Sequence, residues 1–229
     1  MIDGVCFGGR TAQCSPSGDG VPAGWPYDRG VSVRPPATRL PAARRRQQLL
    51  EVALQVFGER GFHPTSMNDV AEAAGVTKPV LYQHFRSKRD LYREVLGDVG
   101  DQLLAEITEA TSAAGTPQQQ VELGFLAYFR WVAANEAAFR VLFGGGTRRD
   151  EEFAGMVVLV EAAIAEAIAA LIDVPSLDED ARRRLAHGLV GLAEGASRTW
   201  MADADREDPE ALARLIADFA WNGLRGIRG

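Results

Sequence analysis

The chain has 229 residues, 46% of them hydrophobic, and carries 25 Lys and Arg against 31 Asp and Glu, a formal net charge of −6. That length allows one large or two modest domains with a real core, while the net charge taken alone speaks against nucleic acid. No apolar run reaches a membrane-spanning length, no apolar segment follows a basic start, and the only cysteines, Cys6 and Cys14, form neither a disulfide framework nor a zinc spacing. A cytoplasmic protein with no membrane partner, no metal and no cofactor is the expectation.

Residues 1–40 are rich in Gly, Pro, Ser and Arg without periodicity and read as a disordered tail. Two readings of it stand side by side. It is a flexible arm whose Arg34 and Arg39, with Arg44, Arg45 and Arg46, reach DNA phosphates, or the true start lies downstream, near Val31.

Charge is unevenly distributed beyond the tail. Residues 39–93 hold ten Lys and Arg against five Asp and Glu, a net of +5, whereas residues 94–229 hold twelve against twenty-three, a net of −11. A basic head on an acidic body is the footprint of a small DNA-binding domain joined to something else. The expected division is therefore a tail at 1–40, a DNA-binding domain at 41–93 and a second domain at 94–229.

Ala42 to Arg60 has the spacing of an amphipathic helix, with Leu49, Leu50, Ala53, Leu54, Val56 and Phe57 on one face and Gly61 at its end. Residues 65–85 then read as two short helices joined by a tight turn. Thr65 is placed to cap the first, Val70, Ala71 and Ala74 share its inner face, and Gly75 suits the left-handed residue that ends it. Thr77 is placed to cap the second, and Pro79 sits in its first turn, where a missing N–H costs nothing. Val80, Leu81 and Phe85 continue toward the core, leaving Lys78, Tyr82, Gln83 and His84 for the outer faces. This is the pattern of a helix-turn-helix, whose second helix enters the major groove.

Ser87 opens a fourth helix, with Asp90 three residues on as a capping box, and an apolar stripe carries it to about Ala113. Thr116-Pro117 starts the next. Glu136–Phe143 is a short helix stopped by Gly144-Gly145-Gly146, and the stretch through Arg149 reads as a flexible connection. Helices follow from Glu151 to about Ile172, from Asp178 to about Asp203, and from Asp208-Pro209 to about Gly226. The count is nine helices and no convincing strand, an all-α fold.

Residues 45–95 resemble the DNA-binding domain of the TetR family of bacterial transcriptional regulators. The resemblance rests on Ala53-x-x-x-Phe57-x-x-x-Gly61-Phe62, Thr65-Ser66, Val70-Ala71-x-x-Ala74-Gly75-Val76-Thr77, Leu81-Tyr82-x-His84-Phe85 and Ser87-Lys88-x-x-Leu91. The Pro79-Val80 pair departs from the small residues common there. The resemblance implies a homodimer that binds a palindromic operator in double-stranded DNA. It implies phosphate contacts from Thr65, Ser66, Thr77, Tyr82, His84 and Lys88, and base contacts from Lys78, Pro79, Val80 and Gln83. The chemistry agrees: Lys donates to guanine O6 and N7, Gln pairs with adenine, and Pro and Val touch a thymine methyl. The bland readings are a packed or capping His84 and a solvated Gln83.

For the body, the resemblance implies a cavity for a hydrophobic small-molecule effector. Phe125, Tyr128, Phe129, Trp131, Phe139, Phe143, Phe153, Met156, Val160 and Trp200 are its candidate lining, with Arg130, Arg198 and His187 as polar anchors; for any one of them, dense core is the competing role. The last two helices are implied as the dimer interface. Gly188, Gly191 and Gly195 permit close approach, and Leu189, Leu192, Leu212, Leu215, Ile216 and Phe219 supply apolar area. A ligand-released repressor is the leading reading. An activator or a regulator without a ligand stands second. An enzyme, for which no nucleophile–base pair or nucleotide motif is present, and a non-specific DNA coat, which the acidic body does not suit, come last.

Overall fold

The computed structural model describes residues 41–227, so the reading of residues 1–40 lies outside the described part. The described residues form ten helices: α1 (Ala42–Arg60), α2 (Met67–Ala73), α3 (Lys78–His84), α4 (Lys88–Ser112), α5 (Pro117–Ala134), α6 (Glu136–Phe143), α7 (Gly145–Arg149), α8 (Glu151–Ala169), α9 (Glu179–Ala202) and α10 (Pro209–Arg225). The fold is all-α. The tenth helix arises where the sequence suggested a flexible connection. Gly144 starts the five-residue α7, and its Thr147 is buried, donating to the Val141 carbonyl at 2.7 Å. A glycine run alone does not reveal that a threonine within it is anchored from outside.

Most helix ends follow local chemistry. Gly61 and Gly75 take positive φ, 81° and 63°. At Gly75 the turn is a Schellman motif: Val76 N–H reaches Ala71 O at 3.0 Å and Gly75 N–H reaches Glu72 O at 3.0 Å. Side chains of Ser87, Thr116, Asp150 and Asp178 accept from backbone N–H groups three residues on. Pro117 and Pro209 occupy first-turn positions.

Three caps differ from expectation: at α4 Ser87 accepts from Asp90 N–H at 3.0 Å, but the Asp90 carboxyl accepts from Arg86 N–H at 3.0 Å, so no reciprocal box with Ser87 closes. Ser66, not Thr65, caps α2, in a capping box with Asp69; Thr65 is buried and donates to Gly61 O at 2.7 Å. Thr77 begins α3 without a side-chain cap bond.

In the head, Leu49, Ala53 and Phe57 of α1 pack with Val70 of α2, Leu81 of α3, and Phe85, all nearly solvent-free. Burying each large side chain contributes about 1.5–3 kcal/mol. The long α4 runs from this head into the body, where it packs on α5 and α8; α10 lies on α5 and α9 on α8. An aromatic cluster ties the parts together: Tyr92 of α4 stands 4.9 Å from Phe57 and from Phe62 and 4.6 Å from Phe153 of α8, centroid to centroid. Among the described residues no helix is long and apolar enough to cross a membrane.

Candidate nucleic-acid interface and effector cavity

The turn at Gly75 and the core contacts of Leu81 and Phe85 decide which side of α3 is free. Thr77, Lys78, Pro79, Tyr82 and Gln83 are exposed, and Val80 and His84 are half-buried. Tyr82 is 44% exposed, as its outer-face placement implied. Arg86, just past α3, is exposed as well. The seven-residue helix thus presents a cation, an amide, a phenol and two apolar groups on one accessible surface, a set able to read base edges and touch phosphate.

Three of the residues expected to contact phosphate bond within the free chain. Thr65 spends its hydroxyl on Gly61 O and is inaccessible. Ser66 Oγ donates to Asp69 Oδ2 at 2.6 Å and accepts from Asp69 N–H at 3.2 Å. Those bonds to Ser66, first through its side chain and then its backbone, hold the Asp69 carboxyl below its ordinary pKa. Lys88 Nζ points inward to the carbonyls of Phe62, His63 and Thr65. Arg89 is likewise engaged, bridging Asp150 and Glu152 at the start of α8. The partners of Thr65 and Ser66 are thus local, three or four residues away, whereas those of Lys88 lie more than twenty residues earlier.

The body holds a cavity of about 340 Å³ between α4, α5, α8, α9 and α10. Of the expected lining, Phe125, Tyr128 and Phe143 face it. Phe129, Trp131, Phe139, Phe153, Met156, Val160 and Trp200 are not among its lining residues. Phe153 belongs to the aromatic cluster with Phe62 and Tyr92, Val160 presses on Gly100 of α4, and Trp200 donates its ring N–H to Glu207 O at 2.8 Å. Aromatic content marks dense core as readily as cavity wall, which is why these residues misled. The wall is mostly aliphatic instead, with Leu103, Ile107, Ile164 and Ile168 on α4 and α8 and Leu189 on α9.

The polar fringe also differs from expectation. Glu161 and Glu194 line the cavity; Arg148 pairs with both, and Arg198 joins Glu194 at 2.8 Å and Phe143 O at 3.1 Å. Burial, then the nearby Glu194, pushes the Glu161 carboxyl up. Tyr128 is raised by burial and accepts weakly from Ser197 at 3.4 Å. Arg130 points away to Glu210, and His187 is exposed. No periodic signal picks out Glu161 among the four glutamates of α8 as a cavity residue.

Of the expected interface residues, Gly188, Gly191 and Gly195 are exposed, with no neighbour within 4 Å of where a Cβ would stand. Leu215 and Phe219 on α10 are 62% and 68% exposed, while Leu189, Leu192 and Ile216 are half-buried and Leu212 is buried. Leu215 and Phe219, four residues apart, leave apolar surface of one helix face open to water.

Comparison with known proteins follows the same division. A family description reading "Bacterial regulatory proteins, tetR family" matches residues 49–95, and "Tetracyclin repressor-like, C-terminal domain" matches 117–223. The transcriptional activator FasR of Mycolicibacterium smegmatis is 33% identical over 190 residues, 82% of this chain and 87% of that protein. The repressor KstR2 of the same organism is 33% identical over 197 residues, 83% and 82% of the two chains. A TetR-like regulator from Rhodococcus sp. RHA1 superposes with a TM-score of 0.68 at 28% identity, covering 82% of this chain and all of that one. FadR of Bacillus subtilis, solved with stearoyl-CoA, gives 0.66 at 18% identity over 80% and 99%, a likeness of fold.

Proposed function

The chain belongs to the TetR family of bacterial transcriptional regulators, DNA-binding proteins and not enzymes, and we propose that it acts in the cytoplasm as a homodimer on a palindromic operator, most simply as a repressor released by a hydrophobic effector. In this reading residues 41–93 read DNA, and residues 94–229 hold the effector and the second copy.

The accessible face of α3 carries the proposal. Lys78, Pro79, Val80 and Gln83 take the base edges, and Thr77, Tyr82 and His84 take phosphate. Two such helices, one per subunit, then lie one DNA turn apart, about 34–36 Å. The effector acts by preferring a dimer whose two heads are spaced differently, which lowers operator affinity. The apolar cavity supports a ligand with a long hydrophobic part, and stearoyl-CoA, bound by the structurally similar FadR, is the first compound to try. A second reading, an activator, is favoured by the extended likeness to FasR, an activator by name.

Selection of binding sites from a random DNA pool tests the central reading. The expected product is a palindrome bound with an affinity of about 10⁻⁸ M or better at physiological salt. Lys78→Ala is expected to cost about 1–3 kcal/mol and to relax the base preference at one position per half-site. A pool with no enriched sequence overturns the operator reading. A reporter driven from the selected site separates repressor from activator by the sign of the change when the protein is supplied.

A further inference from the structure

The two ends of the cavity in the body differ in charge. Along α5 its wall runs from Pro117 to Tyr128, about 16 Å at 1.5 Å per helical residue. Leu103, Ile107, Ile164 and Ile168 keep the middle apolar. The one cation on the described wall, Arg225, lies toward the Pro117 end, because α10 runs antiparallel to α5 with Glu210 paired to Arg130. At the Tyr128 end the wall carries Glu161 of α8 and Glu194 of α9.

Tyr128 has a proton to give and nowhere to give it. Its side chain belongs to a residue only 7% exposed, and its neighbour Ser197 is fully buried. The phenol oxygen accepts from Ser197 Oγ at 3.4 Å, and among the described residues nothing accepts the phenol proton in turn. Burial first, and the carboxylates of Glu194 and Glu161 after it, raise the Tyr128 pKa, so the proton stays on the oxygen. A buried donor without an acceptor is costly. A ligand that fills the cavity displaces water from it and must itself supply the acceptor.

The charges at this end restrict what that acceptor can be. Arg148 pairs with both glutamates and Arg198 with Glu194, yet the arginines stand on the solvent side. Their side chains are 42% and 45% exposed, against 23% for Glu161 and 14% for Glu194, and neither arginine lines the cavity. A ligand group beside Tyr128 therefore meets carboxylates. A further carboxylate is repelled there; burial, then Glu194, already pushes Glu161 up. An ammonium has no lone pair with which to accept the Tyr128 proton.

We infer that the Tyr128 end of the cavity recognises an uncharged oxygen, the carbonyl or hydroxyl of a ligand whose remainder is apolar. Tyr128 Oη is the donor, and Glu161 and Glu194 turn a carboxylate away. The inference deepens the effector reading above and rests on it. A ketone, an alcohol, an ester or a thioester meets the demand, whereas an acid group is directed to the Arg225 end.

Titration calorimetry on the full chain at pH 8 tests this with three probes of one chain length: undecan-2-one, undecanoate and undecylamine. For undecan-2-one, Tyr128→Phe is expected to raise Kd about fivefold, the size of one neutral hydrogen bond. Undecanoate and undecylamine are expected to bind parent and variant alike. An unchanged Kd for the ketone, or an equal loss for either charged probe, overturns the assignment. Absence of binding by all three removes the apolar effector reading together with the inference, whereas binding with the wrong sensitivity removes the inference alone.

A spectroscopic readout on the parent serves if Tyr128→Phe does not fold. Undecan-2-one labelled with ¹³C at the carbonyl is expected, when bound, to resonate downfield of its position in hydrocarbon solvent, as a hydrogen-bonded carbonyl does. A bound carbonyl at the hydrocarbon position overturns the inference.

Discussion

Tyr92 of α4 and Thr147 of α7 share a hydrogen bond of 2.5 Å in the protein interior. Thr147 gives its own proton to Val141 O at 2.7 Å, so Tyr92 is the donor between them. The bond joins the helix that descends from the DNA-binding head to the turn beside Arg148, whose guanidinium pairs with the cavity glutamates 161 and 194. Thr147→Val leaves the buried phenol with only the 3.3 Å contact to Val141 O, at an expected cost of about 1–3 kcal/mol. Tyr92→Phe in the same background is expected to recover part of that loss. Urea unfolding of the two single variants and the double variant measures the coupling, and additive effects would show the bond to be energetically idle.

Gly58 of α1 packs directly on Ala137 of α6. A Cβ at Gly58 would stand 2.6 Å from Ala137 Cβ and 2.7 Å from its Cα, closer than such atoms come. Gly58→Ala gains up to about 1 kcal/mol of helix propensity, but the clash with a neighbouring backbone costs about 1–3 kcal/mol. The clash is expected to win, lowering the melting temperature. A rise in melting temperature would mean that α1 and α6 can separate freely.

Acid is expected to loosen the head through its caps. Hydrogen bonds hold Asp69 and Asp90 below their ordinary value of 3.8: the Ser66 hydroxyl leads for Asp69, and the Arg86 backbone N–H leads for Asp90. Both carboxyls are depressed in the folded state, so their contribution is fully present above pH 4–5 and is lost as pH falls through the folded values, below 3.8. Asp69→Asn removes this dependence for α2. Thermal unfolding between pH 7 and pH 3 should therefore be less pH-sensitive in the variant than in the parent, and parallel curves would contradict the assignment.

Leu215 and Phe219 lie one helical turn apart on α10 with most of their surface in water. A second copy covering them would bury two of the largest apolar groups left open in the described chain. Phe219→Glu and Leu215→Glu place a charge where that contact forms and are expected to yield single-chain mass by light scattering at micromolar concentration, against twice that mass for the parent. A parent already monomeric would remove the dimer from the proposed mechanism.

Much of the fold was legible because its signals are local. Gly61 and Gly75 stop helices because they accept positive φ, Pro117 and Pro209 start them because they need no N–H donor, and Ser87 caps α4 through a group three residues away. Val70, Leu81 and Phe85 faced the core as their helical spacing implied. For the same reason the face left to Lys78, Tyr82 and Gln83 could be read from the chain before any coordinates. What spacing could not decide was the use of each polar or aromatic group once distant segments met. Thr65 and Ser66 are adjacent, yet one is sealed inside and the other caps α2. Lys88 turned inward because unpaired carbonyls more than twenty residues earlier fold beneath it. Phe153 joined Phe62 and Tyr92 in solid core, while Glu161, on the same helix, came to line the cavity. Helix chemistry acts over about four residues and is written in the sequence; satisfaction of a buried donor, and the difference between a wall and a core, depend on which surfaces the tertiary fold brings into contact.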